Sequence, residues 1–461
     1  MLQLSFQPQP GSGPLYEQLY RAIVSQIRLG QLSPGEKLPG KRSLAQTLSM
    51  SVNTVDTAYQ LLTAEGYLDV RPRSGYYVQA CQGPVAASLT SRTASAPATE
   101  APAYAFDLST GGIDTGLFPF RTWGRIQKEL LYSQPQLLDR GHPQGDEDLR
   151  CAIADYLQAY RGVDCTPQQI VVGAGVEYLL GLLAPLLPAR AAVEDPGYRR
   201  VHHILANSGL DCVPAAIDGQ GLNPAALEGT GADLVYITPS HQFPTGAVLP
   251  ASRRAALLQW AAQKPGRYLI EDDYDSEFRF ELRPLPSLQG MAGSNGPVVY
   301  LSTFSRSLAP SIRIACMVLP QSLMPAFQHH YGQYSSTVSR FEQQTLRVFL
   351  QQGHFARHLA RCRNRYRVRM QTLTEGLQSR FPGRVHLWGQ HTGLHFLMQL
   401  QGSASEQQLV AQARLAGVRL QGLSSYSVQA SVPPSTLVMG YGSLPDEQIP
   451  ALCSTLGQVW G

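Results

Sequence analysis

The chain has 461 residues, a formal net charge of +4, and 43% hydrophobic residues. That length exceeds one typical domain, and that apolar share builds a large core, which excludes a disordered chain. Charged residues make up only 15%, so bulk charge does not mark a nucleic-acid binder, and such a reading must come from a local motif.

The first residues, MLQLSFQPQPGSGPLYEQ, carry no basic segment and no apolar run, so no signal peptide is expected. No apolar run reaches the roughly 18 residues of a membrane span. Seven cysteines, Cys81, Cys151, Cys165, Cys212, Cys316, Cys362 and Cys453, are scattered, and none forms a C-x-x-C pair. That pattern argues against a disulfide framework and for a reducing, cytoplasmic setting.

In chain order, Leu15, Leu19, Ile23 and Ile27 repeat at helical spacing, and Gly30 closes that helix. Turns follow at Pro34-Gly35 and Pro39-Gly40, then a short amphipathic helix over Ser43–Met50. Ser51 is placed to cap a helix from Asn53 to about Glu65 that turns Val55, Ala58, Tyr59 and Leu62 inward. After Gly66, Tyr67–Val70 and Tyr76–Val78 flank the turn Arg71-Pro72-Arg73-Ser74-Gly75, a β-hairpin. Three helices and a hairpin describe a winged helix-turn-helix. Its DNA-facing residues would be Ser51, Asn53 and Thr54 in the major groove, with Lys41 and Arg42 at phosphates. Arg71, Arg73, Ser74 and Gly75 form the wing tip, within reach of backbone or minor groove. The competing reading is a small helical module for protein contacts.

Residues 81–104 are Ala, Ser, Thr and Pro with almost no large apolar side chains, and read as a flexible linker between a unit at 12–80 and another at 105–461. In the second unit, short apolar runs at Ile170–Val172, Leu234–Thr238, Tyr268–Glu271 and Val298–Leu301 alternate with helical patterns, one running through Leu187. Such alternation predicts a mostly parallel sheet covered by helices, with the site at the carboxyl ends of the strands.

Four polar clusters follow those runs. Gly173-Ala174-Gly175-Val176-Glu177 is a strand-to-helix turn suited to an anion, although the Glu177 carboxylate would repel phosphate. Glu194-Asp195-Pro196-Gly197-Tyr198 sets a ring after a turn. Glu271-Asp272-Asp273-Tyr274-Asp275 gathers carboxylates that suggest a cation, either a metal or a protonated nitrogen base, and no histidine lies in the cluster. The stretch from Ser302 to Leu308, with Arg306 and then Arg313, suggests an anion. Each cluster alone also reads as an ordinary turn or solvated loop. Six arginines from Arg357 to Arg369 crowd one helical stretch, either a DNA-holding surface or, the favoured reading, a solvated face with salt bridges.

Residues 15–78 resemble a GntR-type winged helix through L-x-P-G-x-x-L-P-x-x-R-x-L-A and S-x-x-T-V-x-x-A-Y-x-x-L-x-x-E-G-Y-L. One departure is Val52, where many members carry arginine. The stretches Thr238–Gly246, Glu271–Arg279 and Thr303–Ile314 resemble fold-type I enzymes dependent on pyridoxal 5'-phosphate. The whole chain resembles the MocR/GabR regulators, which fuse these two parts.

That resemblance implies phosphate contacts from Gly175, Val176, Glu177, Thr303, Ser305 and Arg313. It places Tyr198 on the pyridine ring, Asp272 at the ring nitrogen and Tyr274 at the ring hydroxyl. It implies a lysine where Arg306 stands, and the chain's four lysines, Lys37, Lys41, Lys128 and Lys264, all lie elsewhere, the last two in helical patterns. A guanidinium stays protonated and cannot serve as that nucleophile. The stretch Leu437–Gly442 also lacks the arginine that aminotransferases use for a substrate carboxylate.

The resulting expectation is a regulator that binds a double-stranded operator as a homodimer. Its large domain is a dimer scaffold and a sensor for a small anionic or phosphorylated effector, with pyridoxal phosphate noncovalent if bound, no metal and no transaminase activity; the other reading of the pocket is a vestige that carries only the dimer. The alternatives are an aminotransferase with an atypical active site, and an assembly protein whose two domains are both remnants.

Overall fold

The computed structural model describes residues 13–72, 74–80, 104–280, 286–402 and 404–461. Arg73 and the predicted linker, apart from Tyr104, lie outside them. The chain divides into two compact units, residues 1–101 and 102–461.

In the first unit, α1 (Leu15–Arg28), α2 (Lys41–Thr47) and α3 (Val52–Ala64) pack over a hairpin of β1 (Leu68–Arg71) and β2 (Gly75–Val78). Leu19, Ile23, Leu44, Val55, Ala58, Tyr59, Leu62 and Val78 form one core. The Tyr59 hydroxyl donates to the Pro39 carbonyl at 2.9 Å, so the buried phenol does not lose its hydrogen bond. Helix α2 begins two residues before the expected start, because Gly40 is extended and serves as N-cap. Lys41 and Arg42 therefore lie inside its first turn rather than ahead of it. Helix α3 begins one residue early, at Val52, directly after its Ser51 cap.

The second unit is built on an eight-stranded sheet. Its strands are β3 (Ile170–Gly173), β4 (Arg190–Asp195), β5 (Asp211–Asp218), β6 (Gly221–Leu222), β7 (Leu234–Ile237), β8 (Tyr268–Asp273), β9 (Val298–Thr303) and β10 (Ala315–Val318). They lie in the order β3-β10-β9-β8-β7-β4-β5-β6. The pairs β9/β8, β8/β7, β7/β4 and β4/β5 are parallel, while β10 runs against both neighbours.

Alternate residues of these strands feed different cores. Val171 joins Leu179 and Met317 on one face, and Ile170 and Val172 join Leu149 and Phe349 on the other. Burial on both faces explains why the strands read as continuous apolar runs. The helices that bear on the site are α4 (Phe120–Ser133), α5 (Glu147–Arg161), α6 (Val176–Leu183), α7 (Arg199–Asn207), α8 (Ala251–Ala262), α9 (Arg340–Gln351) and α10 (His354–Arg380). Helix α6 stops at Leu183, and only a short 3-10 turn continues toward Leu187. A four-stranded sheet of β11 (Val385–Trp388), β12 (His395–Leu400), β13 (Gln421–Gly422) and β14 (Thr436–Gly440) has its own core against α10 and the helix Ile449–Trp460.

Candidate functional site

Strands β3, β4, β8 and β9 release their carboxyl ends toward one cavity of about 430 Å³. Around it the fold brings together Gly175, Val176, Glu177, Tyr198, Asp272, Tyr274, Thr303, Ser305, Arg306 and Arg313, from segments spread over 139 positions.

The anion end is tightly built. Gly175 has φ +94°, and a Cβ there would sit 2.5 Å from Arg313 Nη2, so only glycine allows this approach. Arg313, itself left-handed at φ +55°, donates to the Ala174 carbonyl at 3.0 Å and meets Glu177 at 3.5 Å. The other Glu177 oxygen takes Arg200 at 2.7 Å. The carboxylate that seemed hostile to phosphate is thus the present counter-ion of two arginines. No side chain caps the first turn of α6. Thr303 and Ser305 hydroxyls stand 3.0 Å apart beside it.

The wall is aromatic. Tyr198 and Phe243 meet edge to face at 5.6 Å, and Phe243 also touches Tyr426. Asp195 accepts the amides of Val428, Gln429 and Ala430 at 2.7–2.8 Å, which ties this wall to the segment before β14.

The carboxylate cluster separates into four destinations, which corrects the expectation of one shared cation. Glu271 accepts the Leu288 and Gln289 amides at 2.9 Å. Asp273 pairs with Arg161 at 2.6 Å and accepts from Tyr300, fully withdrawn from solvent. Asp275 bonds His241 Nδ1 at 3.0 Å. Only Asp272 faces the cavity. Tyr236 donates to its Oδ2, while Oδ1 is buried with no partner among the described residues. Burial pushes the Asp272 carboxyl up to about 7, against the Tyr236 hydrogen bond and the charge of Arg306.

Sequence found no histidine in the cluster, yet the fold brings His241 and His395 to Asp275. The Tyr274 hydroxyl lies 3.0 Å from both the His241 carbonyl and Nδ1, so these groups already satisfy one another. Burial holds His395 well below the ordinary histidine range. Arg306 lines the cavity, and its Nη1 is buried with no partner among the described residues.

Thr110, Arg200, Arg419 and Gln421 also line the cavity and were not singled out from sequence, while Thr238 and Phe243 come from the Thr238–Gly246 stretch that carried the resemblance. Arg200 stands two residues after Tyr198 and was within reach of a closer reading. Arg419 carries no local signal. The arginine-free stretch after Thr436 is the buried strand β14 and lines no part of the cavity, so the guanidiniums come from other segments. Lys128 sits in α4, while Lys264 lies past the end of α8, not in a helix, and pairs with Asp233 at 2.5 Å.

In the first unit, Ser51 Oγ accepts the Thr54 amide at 3.1 Å and bonds the Thr54 hydroxyl, so both residues serve the cap. Asn53 and Arg42 are exposed. Lys41 is paired with Asp56 and lies over the Tyr76 ring, so meeting a phosphate would mean giving up Asp56. Arg71 is exposed and stacks on Tyr77 at 4.2 Å, and the exposed Ser74 bonds the Tyr77 hydroxyl at 2.7 Å. Gly75 holds φ +119° at the wing turn.

Residues 15–78 match the profile for bacterial regulatory proteins of the gntR family, and residues 105–456 match that for aminotransferase class I and II. The HTH-type transcriptional regulator YhdI of Bacillus subtilis is 36% identical over 97% of this chain and 96% of its own. The probable rhizopine catabolism regulatory protein MocR of Rhizobium meliloti is 30% identical over 94% and 90%. The HTH-type pyridoxine biosynthesis transcriptional regulator PdxR of Corynebacterium glutamicum is 34% identical over 80% of both chains. The multiple substrate aminotransferase of Thermococcus profundus superposes with a TM-score of 0.69 at 21% identity, covering 78% of this chain and 92% of that one, a likeness of fold.

A winged helix joined to an aminotransferase fold defines a class of DNA-binding transcriptional regulators. Within it, this chain belongs to the MocR family of HTH-type regulators.

Proposed function

We propose that the large unit senses an anionic, phosphorylated effector without transaminase chemistry, and that it governs operator binding by the winged helices of a homodimer. Arg306 carries this reading. By the family resemblance it occupies the position of the cofactor-binding lysine, and a guanidinium provides neither a neutral amine nor a removable proton. Among the described residues no lysine lines the cavity.

The residues present fit pyridoxal phosphate held without a covalent bond. The unpartnered Asp272 Oδ1 supplies the acceptor for a ring nitrogen, and the glycine cradle beside Arg313 fits a phosphate. Tyr274 would hold the ring hydroxyl, and Tyr198 would cover the ring. The α6 amides of Val176 and Glu177 would hold the phosphate together with Gly175, Thr303, Ser305 and Arg313. In taking Arg313, the phosphate replaces Glu177, which keeps Arg200. When bound, the group supplies an electron-withdrawing ring, and this chain offers it orientation and shelter from water. At Asp275, His241 orients Tyr274 through its hydrogen bonds, and His395 holds the Pro244 carbonyl at 3.1 Å.

On DNA, Ser51, Asn53 and Thr54 would enter the major groove. Arg42 and Lys41 would meet phosphates, and Arg71, Arg73, Ser74 and Gly75 would form the wing contact. Two winged helices of a dimer match two half-sites.

Calorimetry with pyridoxal phosphate, on wild type and Arg306→Lys, tests the sensor reading. Binding by wild type without the visible absorbance of a covalently held cofactor, and gain of that absorbance in the variant, supports it. Covalent absorbance in wild type restores the aminotransferase reading. Weaker operator binding by Arg42→Ala, with a salt slope lower by about one, supports the DNA surface.

A further inference from the structure

The cavity is polarised in a way that an ordinary lysine pocket is not. Asp272 presents one unpartnered acceptor, and Arg306 presents one unpartnered donor, Nη1, that carries a fixed charge. No carboxylate lies within ion-pair distance of Arg306 among the described residues, whereas Arg200 and Arg313 share Glu177. The Arg306 charge is felt throughout the cavity: it favours the anionic forms of Asp272, Tyr274 and Tyr198 against the effect of burial, and it adds to burial in disfavouring the charged form of His395. A buried guanidinium donor left without an acceptor is costly, so the ligand that binds best is the one that supplies the acceptor. A ligand that brings a second cation to the same place meets like-charge repulsion in a site of low dielectric.

Resting on the reading of the cavity as a pyridoxal phosphate-type pocket, we propose that Arg306 makes it selective by the ring substituent that faces residue 306. The favoured ligand is a phosphorylated pyridine carrying an oxygen acceptor there, a carboxylate above an aldehyde. A phosphorylated pyridine carrying an aminomethyl group, protonated near neutrality, is rejected. The regulator thereby distinguishes the oxidised forms of this ring from the amine form. A lysine in the same position could not hold that distinction, because its amine can lose its proton and react. No bond is made or broken; the discrimination is one of charge.

The experiment is calorimetric titration of the full-length protein with pyridoxal phosphate, its carboxylate counterpart pyridoxic acid phosphate, and its aminomethyl counterpart pyridoxamine phosphate. Wild type is expected to bind the carboxylate tightest and the amine at least about tenfold more weakly than the carboxylate, the size of one charge-assisted hydrogen bond. In Arg306→Gln the three affinities converge to within about threefold. Equal affinities in wild type overturn the selectivity while leaving the pocket in place. Absence of binding by all three removes the pocket reading itself, and the selectivity with it. The wild-type ranking decides the question even if the variant folds poorly.

Discussion

Helix α10 and the loop around Arg306 both gather arginine, and the two regions use it in opposite ways. On α10, Arg361 donates to the Leu117 carbonyl, Arg363 to the Glu277 carbonyl, and Arg365 pairs with Asp446. Arg369 is 1% exposed and joins Asp446, Asp114 and the Gly442 carbonyl. The expected solvated face is thus correct for some positions and wrong for Arg369, which pins α10 to the C-terminal segment from inside. At the cavity, Arg306 has a buried donor with nothing to hold. An arginine whose donors are taken up by its own protein is architecture. Arg306 has a sheltered donor left over and also lines the cavity, which places it for a ligand; Arg279 leaves buried donors unpartnered among the described residues but lines no part of the cavity.

The largest effect is expected at the architectural end. Arg369→Ala takes the ion-pair partner from Asp114 and leaves Asp446 to Arg365 alone; it should cost about 3 kcal/mol in urea unfolding, with any surviving folded protein keeping its ligand ranking. A cost under about 1 kcal/mol would erase the contrast between the two regions. Next comes Arg306→Gln, which should weaken binding of the carboxylate ligand about tenfold and leave the thermal midpoint of the unliganded protein unchanged or slightly higher, because a sheltered charge without a counter-ion is removed.

Glu277 supplies an anionic version of the same test. Tyr156 bonds its Oε1 at 3.0 Å, its Oε2 is unpartnered among the described residues, and burial pushes the carboxyl up to about 7. The folded state therefore holds a proton that the unfolded state releases at its ordinary value of 4.5. Stability from this group is present below that value and is lost as pH rises toward 7. Glu277→Gln should add about 2 kcal/mol at pH 8 and almost nothing at pH 4, read from denaturation at both pH values. The smallest effect belongs to Arg367, whose contacts are Gln371 and Asn364 on its own helix. Arg367→Ala should change stability by less than about 0.5 kcal/mol.

Much was legible from the chain alone wherever the signal is local. Helical spacing and glycine stops located α1 and α3, a serine cap located the start of the recognition helix, and apolar runs ending in polar clusters located the carboxyl ends of β3, β8 and β9. The replacement of lysine by Arg306 is wholly a fact of sequence, as is the lack of a substitute nearby. What the sequence by itself determined is therefore the two-part organisation, the α/β class and the ten residues later found around one cavity. Tertiary structure alone decided how the charges were shared. Arg161 reaches Asp273 across 112 positions, Arg369 reaches Asp114 across 255, and His395 arrives beside His241 from another sheet. Hydrophobic periodicity and turn chemistry act over a few residues, so they leave a readable pattern. Ion pairing depends on distance in space and on exclusion of water, and neither leaves a period in the chain.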